Sequence, residues 1–212
     1  MADAFVEDWA FTTGEVLTGP PWIQEAAPAG PVVARGIPDG PDADFETIHQ
    51  VILGGIACAR SSVQVLTPYF VPDASLITAL RVAATRGVSV EVVLPERTNL
   101  PCVHWATQAL LWQVVKRDVQ VFSAPPPFDH SKLMIVDGVW TLIGSANWDA
   151  RSLRLNFEFN VECYDTGLAA AATAIFEAKR DAARVVTAAE LDGRPLPVRL
   201  RDGIARLASP YL

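Results

Sequence analysis

Two groups of residues that can bind and attack a phosphate lie close together in this sequence. The first group contains His130, Lys132 and Asp137, and the second contains Ser145 and Asn147, all within eighteen residues. A neutral imidazole is a nucleophile, and lysine and asparagine side chains donate hydrogen bonds to phosphate oxygens. The pattern therefore predicts a phosphoryl-transfer site in which His130 is the nucleophile.

The segment that carries these residues has the pattern of a β-hairpin. Residues 130–136 and 139–145 are largely apolar and rich in β-branched side chains, and Asp137-Gly138 separates them. An Asp-Gly pair between two such runs favours a two-residue turn, because both turn positions need positive φ. This register predicts that His130 lies opposite Ser145, with the second group just beyond the end of the pair.

The side-chain alternation of a strand assigns different positions to the three residues of the first group. His130 and Lys132 are two residues apart, so they point to the same face of a strand. Asp137 lies at an odd offset and falls in the turn, where we expect it to shape the hairpin without touching substrate.

A third run, Leu155 to Cys163, alternates strictly between apolar and polar residues, which is typical of a strand with one polar face. Glu158 lies on the polar face. If this strand is next to the hairpin, Glu158 reaches His130, and a hydrogen bond to one ring nitrogen would leave the other free to attack.

The elements that hold these residues are predicted from periodicity. Strands are expected over 62–66, 88–94 and 119–122, and helices over 1–17, 43–60, 74–86, 102–116, 167–189 and 199–208. Asp73 is the expected N-cap of the third helix, and Leu168, Ala171 and Ile175 begin the expected inner face of the long helix 167–189. Alternating strands and helices followed by a hairpin predict a three-layer α/β/α sandwich with a mixed β-sheet. Residues 18–41 contain six prolines and four glycines, so a linker or irregular loop is expected there.

Composition limits the classes of function. With 212 residues, of which 50% are hydrophobic, the chain is expected to form one domain with a substantial core. A net charge of −7 opposes binding to a nucleic-acid backbone, and it makes unaided docking on anionic lipid unfavourable. No set of His, Cys, Asp or Glu residues has metal-ligand spacing, so no metal or other cofactor is expected. The longest apolar run, Val51 to Ala59, is shorter than the ~20 residues of a membrane span, and the sequence has no signal-peptide pattern.

The two groups together resemble the His-Lys-Asp signature of the phospholipase D superfamily. The flanking segments are similar to those of bacterial cardiolipin synthases; they are 67–73, 84–90, 127–132 and 145–158. The similarity runs from about Gly30 to Leu212, and residues 4–17 resemble the last helix of a preceding half. Residues 1–41 are therefore expected to be a helix remnant and linker, and residues 42–212 a phospholipase D-like catalytic domain.

The resemblance implies a phosphatidyltransferase that forms cardiolipin from phosphatidylglycerol through a phosphohistidine at His130. It implies that Lys132 and Asn147 hold the non-bridging oxygens, that Ser145 and Glu158 orient their neighbours, and that Asp137 completes the motif. It also implies association with the cytoplasmic membrane, here by peripheral contact.

Such synthases carry two of these motifs, and this sequence has one. A dimer mate or a partner chain is therefore expected to supply the second histidine. The alternatives are a phospholipase D-type hydrolase acting on phospholipid, with nucleic acid a weaker substrate class, and an inactive remnant of a two-motif synthase.

Overall fold

The fold is seen in a computed structural model that describes residues 2–20, 22, 27–41 and 45–212. The strands, in chain order, are β1 Val33–Asp39, β2 Ser62–Leu66, β3 Phe70–Val71, β4 Ser89–Pro95, β5 Gln120–Ala124, β6 Leu133–Val136, β7 Trp140–Gly144, β8 Trp148–Asp149, β9 Glu158–Tyr164 and β10 Arg184–Val185. The helices are α1 Ala2–Thr13, α2 Thr47–Cys58, α3 Ala74–Thr85, α4 Pro101–Leu110, α5 Trp112–Val115, α6 Thr166–Asp181, α7 Ala188–Asp192 and α8 Leu196–Leu207, followed by a 3₁₀ turn, Ser209–Tyr211.

Eight of these strands form one mixed sheet in the order β1-β9-β7-β6-β2-β4-β5-β10. Neighbours among β2, β4 and β5 are parallel, whereas β6, β7, β9 and β1 continue the sheet with antiparallel pairs. The short strands β3 and β8 pair separately, in parallel. The predicted α/β class with a mixed sheet is confirmed.

Alternate residues of the central strands face two separate cores. Val63 and Val65 of β2 belong to a large core that also contains buried residues of α2, α3 and α4. Leu66 of β2 packs instead in a smaller core with Ala172 and Phe176 of α6. Helices therefore cover both faces of the sheet, and the three layers agree with the prediction.

The parallel part of the sheet forms where the periodicity indicated. Strand β2 has the predicted bounds, and the Asp73 carboxylate accepts a hydrogen bond from the Leu76 backbone N–H at 3.0 Å, which makes it the N-cap of α3. Gly87, at φ +87°, ends the helix in a conformation that favours glycine.

The hairpin register was predicted wrongly by one residue. Val136 pairs with Trp140, so the turn contains Asp137, Gly138 and Val139. This longer turn is bonded to a distant part of the chain. The Asp137 carboxylate accepts hydrogen bonds from the N–H groups of residues 60, 61 and 62 at 2.7–2.9 Å. His130 therefore does not lie opposite Ser145, and it precedes β6 instead of lying in it.

The long helix predicted over 167–189 is also wrong in its second half. Helix α6 ends at Asp181, because the following residues join the sheet edge, where Arg184 pairs with Ser123 of β5. The inner face of α6 consists of Ala169, Ala172 and Phe176, whereas the predicted inner residue Ile175 is 56% exposed.

Other bounds also differ from the prediction. Part of the predicted linker over 18–41 forms β1, which pairs with β9 along its whole length. The helix predicted over 43–60 begins at Thr47, and residues 42–44 lie outside the described residues. The helix predicted over 102–116 divides into α4 and α5.

Candidate active site

His130 lies in the loop before β6, and its imidazole contacts two aromatic rings that also contact each other. The ring centroid of Tyr69 is 5.5 Å away and that of Phe128 is 5.7 Å away. Partial burial lowers the pKa of His130, and the nearby charge of Lys132 lowers it further. The imidazole is therefore largely neutral at pH 7, as a nucleophile requires.

Lys132 extends back along the same loop. Its Nζ donates a hydrogen bond to the backbone oxygen of His130 at 2.7 Å. Burial lowers the pKa of this lysine, while the carboxylates of Glu158, Asp149 and Asp129 oppose the change. The ammonium group thus lies close to His130 and among three carboxylates.

Glu158 begins β9, which lies beside β7 of the hairpin as expected. Its charge raises the pKa of both His130 and Lys132, so the three side chains are close in space. The hydrogen bond of Glu158 goes to Asn156, whose Nδ2 donates to Glu158 Oε1 at 3.1 Å. Glu158 therefore acts on His130 through its charge in this structure, and the expected hydrogen bond to the imidazole is not formed.

The parallel pair of β3 and β8 positions Asn147. The backbone N–H of Trp148 donates to the carbonyl of Tyr69 at 3.2 Å, which holds the loop after β7 against the loop after β2. Asn147 is buried, and its Nδ2 donates to Ser152 Oγ at 3.0 Å. Its Oδ1 is buried and has no hydrogen-bond partner among the described residues, a costly state for an amide. The second N–H of this amide remains available to a ligand oxygen.

Ser145 has a different contact from the one expected. Its Oγ accepts a hydrogen bond from the backbone N–H of Phe159 at 2.9 Å and so joins the end of β7 to β9. The preceding residue, Gly144, explains the close approach of these strands: an added Cβ would lie 2.5 Å from the Cα of Asn160. Ser145 and Gly144 therefore shape the backbone beside the site, and Ser145 does not orient Asn147.

Asp137 lies at the opposite end of β6 from Lys132. Five residues of extended chain separate the two, a span of about 16 Å. Partial burial alone would raise the pKa of Asp137, but hydrogen bonds from the backbone of Ser62, Ser61 and Arg60 lower it to about 2. The structure does not bring Asp137 to the other candidate residues, and it agrees with the expectation that this residue shapes the hairpin.

Asp149 is a site residue that the sequence reasoning missed. Its carboxylate is 3% exposed, and its Oδ1 accepts from the Ser152 N–H at 2.8 Å. Burial raises its pKa to about 6, and the charge of Glu158 contributes in the same direction. The sequence signal that could have indicated Asp149 is its position two residues after Asn147.

A cavity of about 380 Å³ opens beside Asn147 and Asp149. Its lining includes Tyr69, Asn147, Asp149, Arg151 and Tyr211. Within the described part of the chain, no three His, Cys, Asp or Glu side chains are grouped so that they could hold a metal ion. The helices of the same residues include none that is both long and apolar enough to cross a membrane.

Comparison with known sequences gives a consistent set of matches. The sequence model of the family described as cardiolipin synthase, PLD-like domain, matches residues 52–180. A cardiolipin synthase of Geobacillus kaustophilus is 35% identical over 98% of this chain and 42% of its own length. The major cardiolipin synthase ClsA of Bacillus subtilis is 35% identical over 91% of this chain and 40% of its own length. The chain thus spans about two fifths of the length of these curated relatives.

Comparison with solved structures shows the same fold. Nuc from Salmonella typhimurium, a phospholipase D family member, superposes with a TM-score of 0.64 at 21% identity, covering 74% of this chain and 100% of its own. The phosphatidylserine synthase of Haemophilus influenzae superposes with a TM-score of 0.68 at 17% identity, covering 99% of this chain and 54% of its own.

Proposed function

Since the chain belongs to the cardiolipin synthase family with a phospholipase D-like domain, we propose that it transfers phosphatidyl groups between phosphatidylglycerol molecules. The observation that carries this proposal is the electrostatic grouping of His130, Lys132 and Glu158, in a chain whose family match over residues 52–180 contains these residues and Asn147. Residues 42–212 are proposed as the catalytic domain, with β1 completing its sheet.

The first chemical step is an attack by a ring nitrogen of His130 on the phosphorus of phosphatidylglycerol. A phosphorus–nitrogen bond forms, the bond to the glycerol oxygen breaks, and the glycerol leaves with a proton from a general acid. Lys132 and the free N–H of Asn147 donate to the non-bridging oxygens, where charge grows in the transition state. In the second step the group that acted as general acid takes the proton from the hydroxyl of another phosphatidylglycerol, whose oxygen attacks the phosphorus. A phosphorus–oxygen bond forms, the phosphorus–nitrogen bond breaks and His130 is restored.

The general acid is proposed to come from a second motif outside these 212 residues. The chain has three histidines. His49 of α2 is buried and pairs with Asp73 at 3.1 Å, and His104 lies in α4 within a different cavity. Neither belongs to the grouping around His130. A dimer mate or a partner chain is therefore proposed to supply the second histidine.

The proposal is tested by incubating the purified chain with phosphatidylglycerol vesicles and measuring the cardiolipin and glycerol released. His130→Ala should lower the rate by at least about a thousandfold, while His104→Ala, a matched control outside the site, should leave it close to that of the wild type. Phosphatidic acid in place of cardiolipin would mean that water is the acceptor. Full activity of the His130→Ala variant would disprove the nucleophile assignment.

The source of the second histidine is tested by co-expressing wild-type and His130→Ala chains after light scattering has given the mass of the assembly. If two His130 side chains serve one phosphate in a twofold dimer, an equal mixture retains about a quarter of the activity, because only wild-type pairs work. Independent sites would retain half. A monomer without activity would point to a partner chain.

A further inference from the structure

Helix α8 presents a row of large apolar side chains to solvent. Leu196, Leu200, Ile204 and Leu207, called here the α8 apolar face, are 66%, 58%, 68% and 80% exposed. Their spacing of four, four and three residues places them in one stripe along the helix. An exposed stripe of this kind marks a surface that binds something, because isolated exposed leucines are common but contiguous ones are not.

The orientation of α8 is fixed from its opposite side. Asp202 is 1% exposed and pairs with Arg194 at 2.8 Å and with Arg201 at 2.7 Å. The Arg201 guanidinium also lies 4.6 Å from the ring centroid of Trp105 in α4. With this side bound to the body of the protein, the apolar face remains outward.

Arginines flank the α8 apolar face. On a helical projection Arg199 and Arg206 lie along one edge of the stripe and Arg201 along the other, since each residue turns the helix by about 100°. Arg199 and Arg206 are exposed. Neither forms an ion pair with another described residue, although the charge of Arg199 acts on the Asp192 carboxylate. Helix α8 contains three arginines and one aspartate, a net charge of +2 in a chain of −7.

The chain that follows helix α8 leads to the candidate active site. The helix runs into the turn Ser209–Tyr211, and Tyr211 and Leu212 line the cavity that contains Asn147 and Asp149. The Arg151 backbone N–H donates to the carbonyl oxygen of Leu212 at 3.3 Å, which fixes this end beside the site.

We propose that the α8 apolar face docks on the surface of an anionic lipid bilayer and brings the mouth of the active-site cavity to that surface. An apolar stripe edged by arginines is the pattern of a helix that lies in the plane of a membrane interface, with leucines among the acyl chains and guanidinium groups at the phosphates. The proposal rests on the proposed function, because the same lipid would be the substrate.

Charge distinguishes the α8 apolar face from helix α1, which also exposes large apolar side chains. Helix α1 exposes Phe5, Trp9 and Phe11, but its charged residues are all acidic. Phosphatidylglycerol would repel α1, whereas it attracts the arginines of α8.

Binding to vesicles tests the docking site directly. The full chain should sediment with phosphatidylglycerol vesicles and much less with phosphatidylcholine vesicles. Leu200→Glu/Ile204→Glu should lower the partition coefficient at least about tenfold. The matched control is Val82→Glu/Ile175→Glu, which makes the same change of charge at helical positions that are 50% and 56% exposed, and it should bind nearly as the wild type does.

The arginines give a second and independent measurement. Replacing Arg199 and Arg206 by glutamine should weaken binding to phosphatidylglycerol vesicles about fivefold for each charge removed. Wild-type binding by Leu200→Glu/Ile204→Glu would overturn the proposal. A second result would also overturn it. If light scattering shows that this variant is a monomer where the wild type is a dimer, and vesicle binding is unchanged, the α8 apolar face is a protein interface.

Failure of docking and failure of the proposed function give different results. His130→Ala should bind vesicles as the wild type does, since no catalytic step is involved. A chain that forms a dimer and binds vesicles but forms no cardiolipin would contradict the proposed function and support docking. Equal rates of cardiolipin formation by the wild type and by Leu200→Glu/Ile204→Glu would contradict docking and support the proposed function.

Discussion

Replacing Asp149 by asparagine should stabilise the folded chain at neutral pH and impair catalysis. Asp149 is buried at 3% exposure, and its pKa is raised to about 6, chiefly by burial. An ionised carboxylate at this position therefore opposes folding. Asparagine removes the charge and keeps an oxygen that accepts the hydrogen bond from the Ser152 N–H, which spans 2.8 Å in the structure.

The size and the sign of the effect follow from the pKa. A carboxyl whose pKa rises from 3.8 to about 6 costs the folded state up to about 3 kcal/mol once it is ionised. This loss of stability is absent below pH 3.8, where the Asp149 carboxyl is protonated in both the folded and the unfolded chain. It grows as the pH rises from about 4 and is complete above about pH 6. Attraction between Asp149 and Lys132 is also lost in the variant, so the expected gain in the free energy of unfolding at pH 7 is about 1–2 kcal/mol.

Urea unfolding of wild type and Asp149→Asn between pH 4 and pH 8 measures this difference. Asp118→Asn is the matched control, because Asp118 is exposed and its φ of 63° is one that asparagine tolerates. The two stability curves should meet near pH 4 and separate as the pH rises. Transferase activity of Asp149→Asn should fall about tenfold, because a carboxylate whose charge acts on the Lys132 ammonium group is gone.

A stability difference between Asp149→Asn and wild type that does not change with pH would refute this reasoning, because it would show that the carboxylate does not titrate in a buried site. A variant that is destabilised at pH 7 would refute it as well. Unchanged activity, with the expected stability curve, would mean that Asp149 is buried near the site without supporting Lys132.

Two further substitutions test the framework of the site. Gly144→Ala should lower the free energy of unfolding by about 2 kcal/mol, since its Cβ would meet Asn160; urea unfolding measures this against Gly54→Ala, where an added Cβ meets nothing within 4 Å. Asp137→Ala should lower the free energy of unfolding by about 2 kcal/mol at pH 7 through the loss of hydrogen bonds from residues 60–62. Because the pKa of Asp137 is lowered to about 2, its contribution is present above pH 3.8 and disappears as the pH falls towards 2. Cardiolipin formation per folded molecule should be unchanged in Asp137→Ala, and a large loss would place Asp137 in the chemistry.

The sequence predicts the local parts of this fold well, because they depend on contacts within a few residues. The cap at Asp73 and the strand Ser62–Leu66 are examples. The hairpin register could not be predicted in the same way. The turn residue Asp137 bonds to Ser61, 76 residues away in sequence, and that contact holds a three-residue turn in place of the two-residue turn that Asp-Gly favours.

The same distinction applies to the site. Histidine and lysine two residues apart predict their own proximity, and the structure places both beside Glu158. The contacts of Ser145 and the burial of Asp149 depend instead on which strands meet. Ser145 bonds to the backbone of Phe159, fourteen residues further along the chain, and Asp149 is buried because β8 pairs with β3. Periodicity within one segment carries no information on such pairings.

The charges around His130 bear on how an anionic lipid reaches the site. Lys132 and Arg151 are matched there by Asp149 and Glu158, and the whole chain carries a net charge of −7. Long-range attraction of a phosphodiester to a site without net positive charge is weak. Docking through α8 removes the need for that attraction, because an enzyme held at a bilayer meets its substrate at a high effective concentration. Helix α8 would then bring enzyme and lipid together, while Lys132 and Asn147 act only over hydrogen-bond distances, where a balanced site can still bind a phosphate.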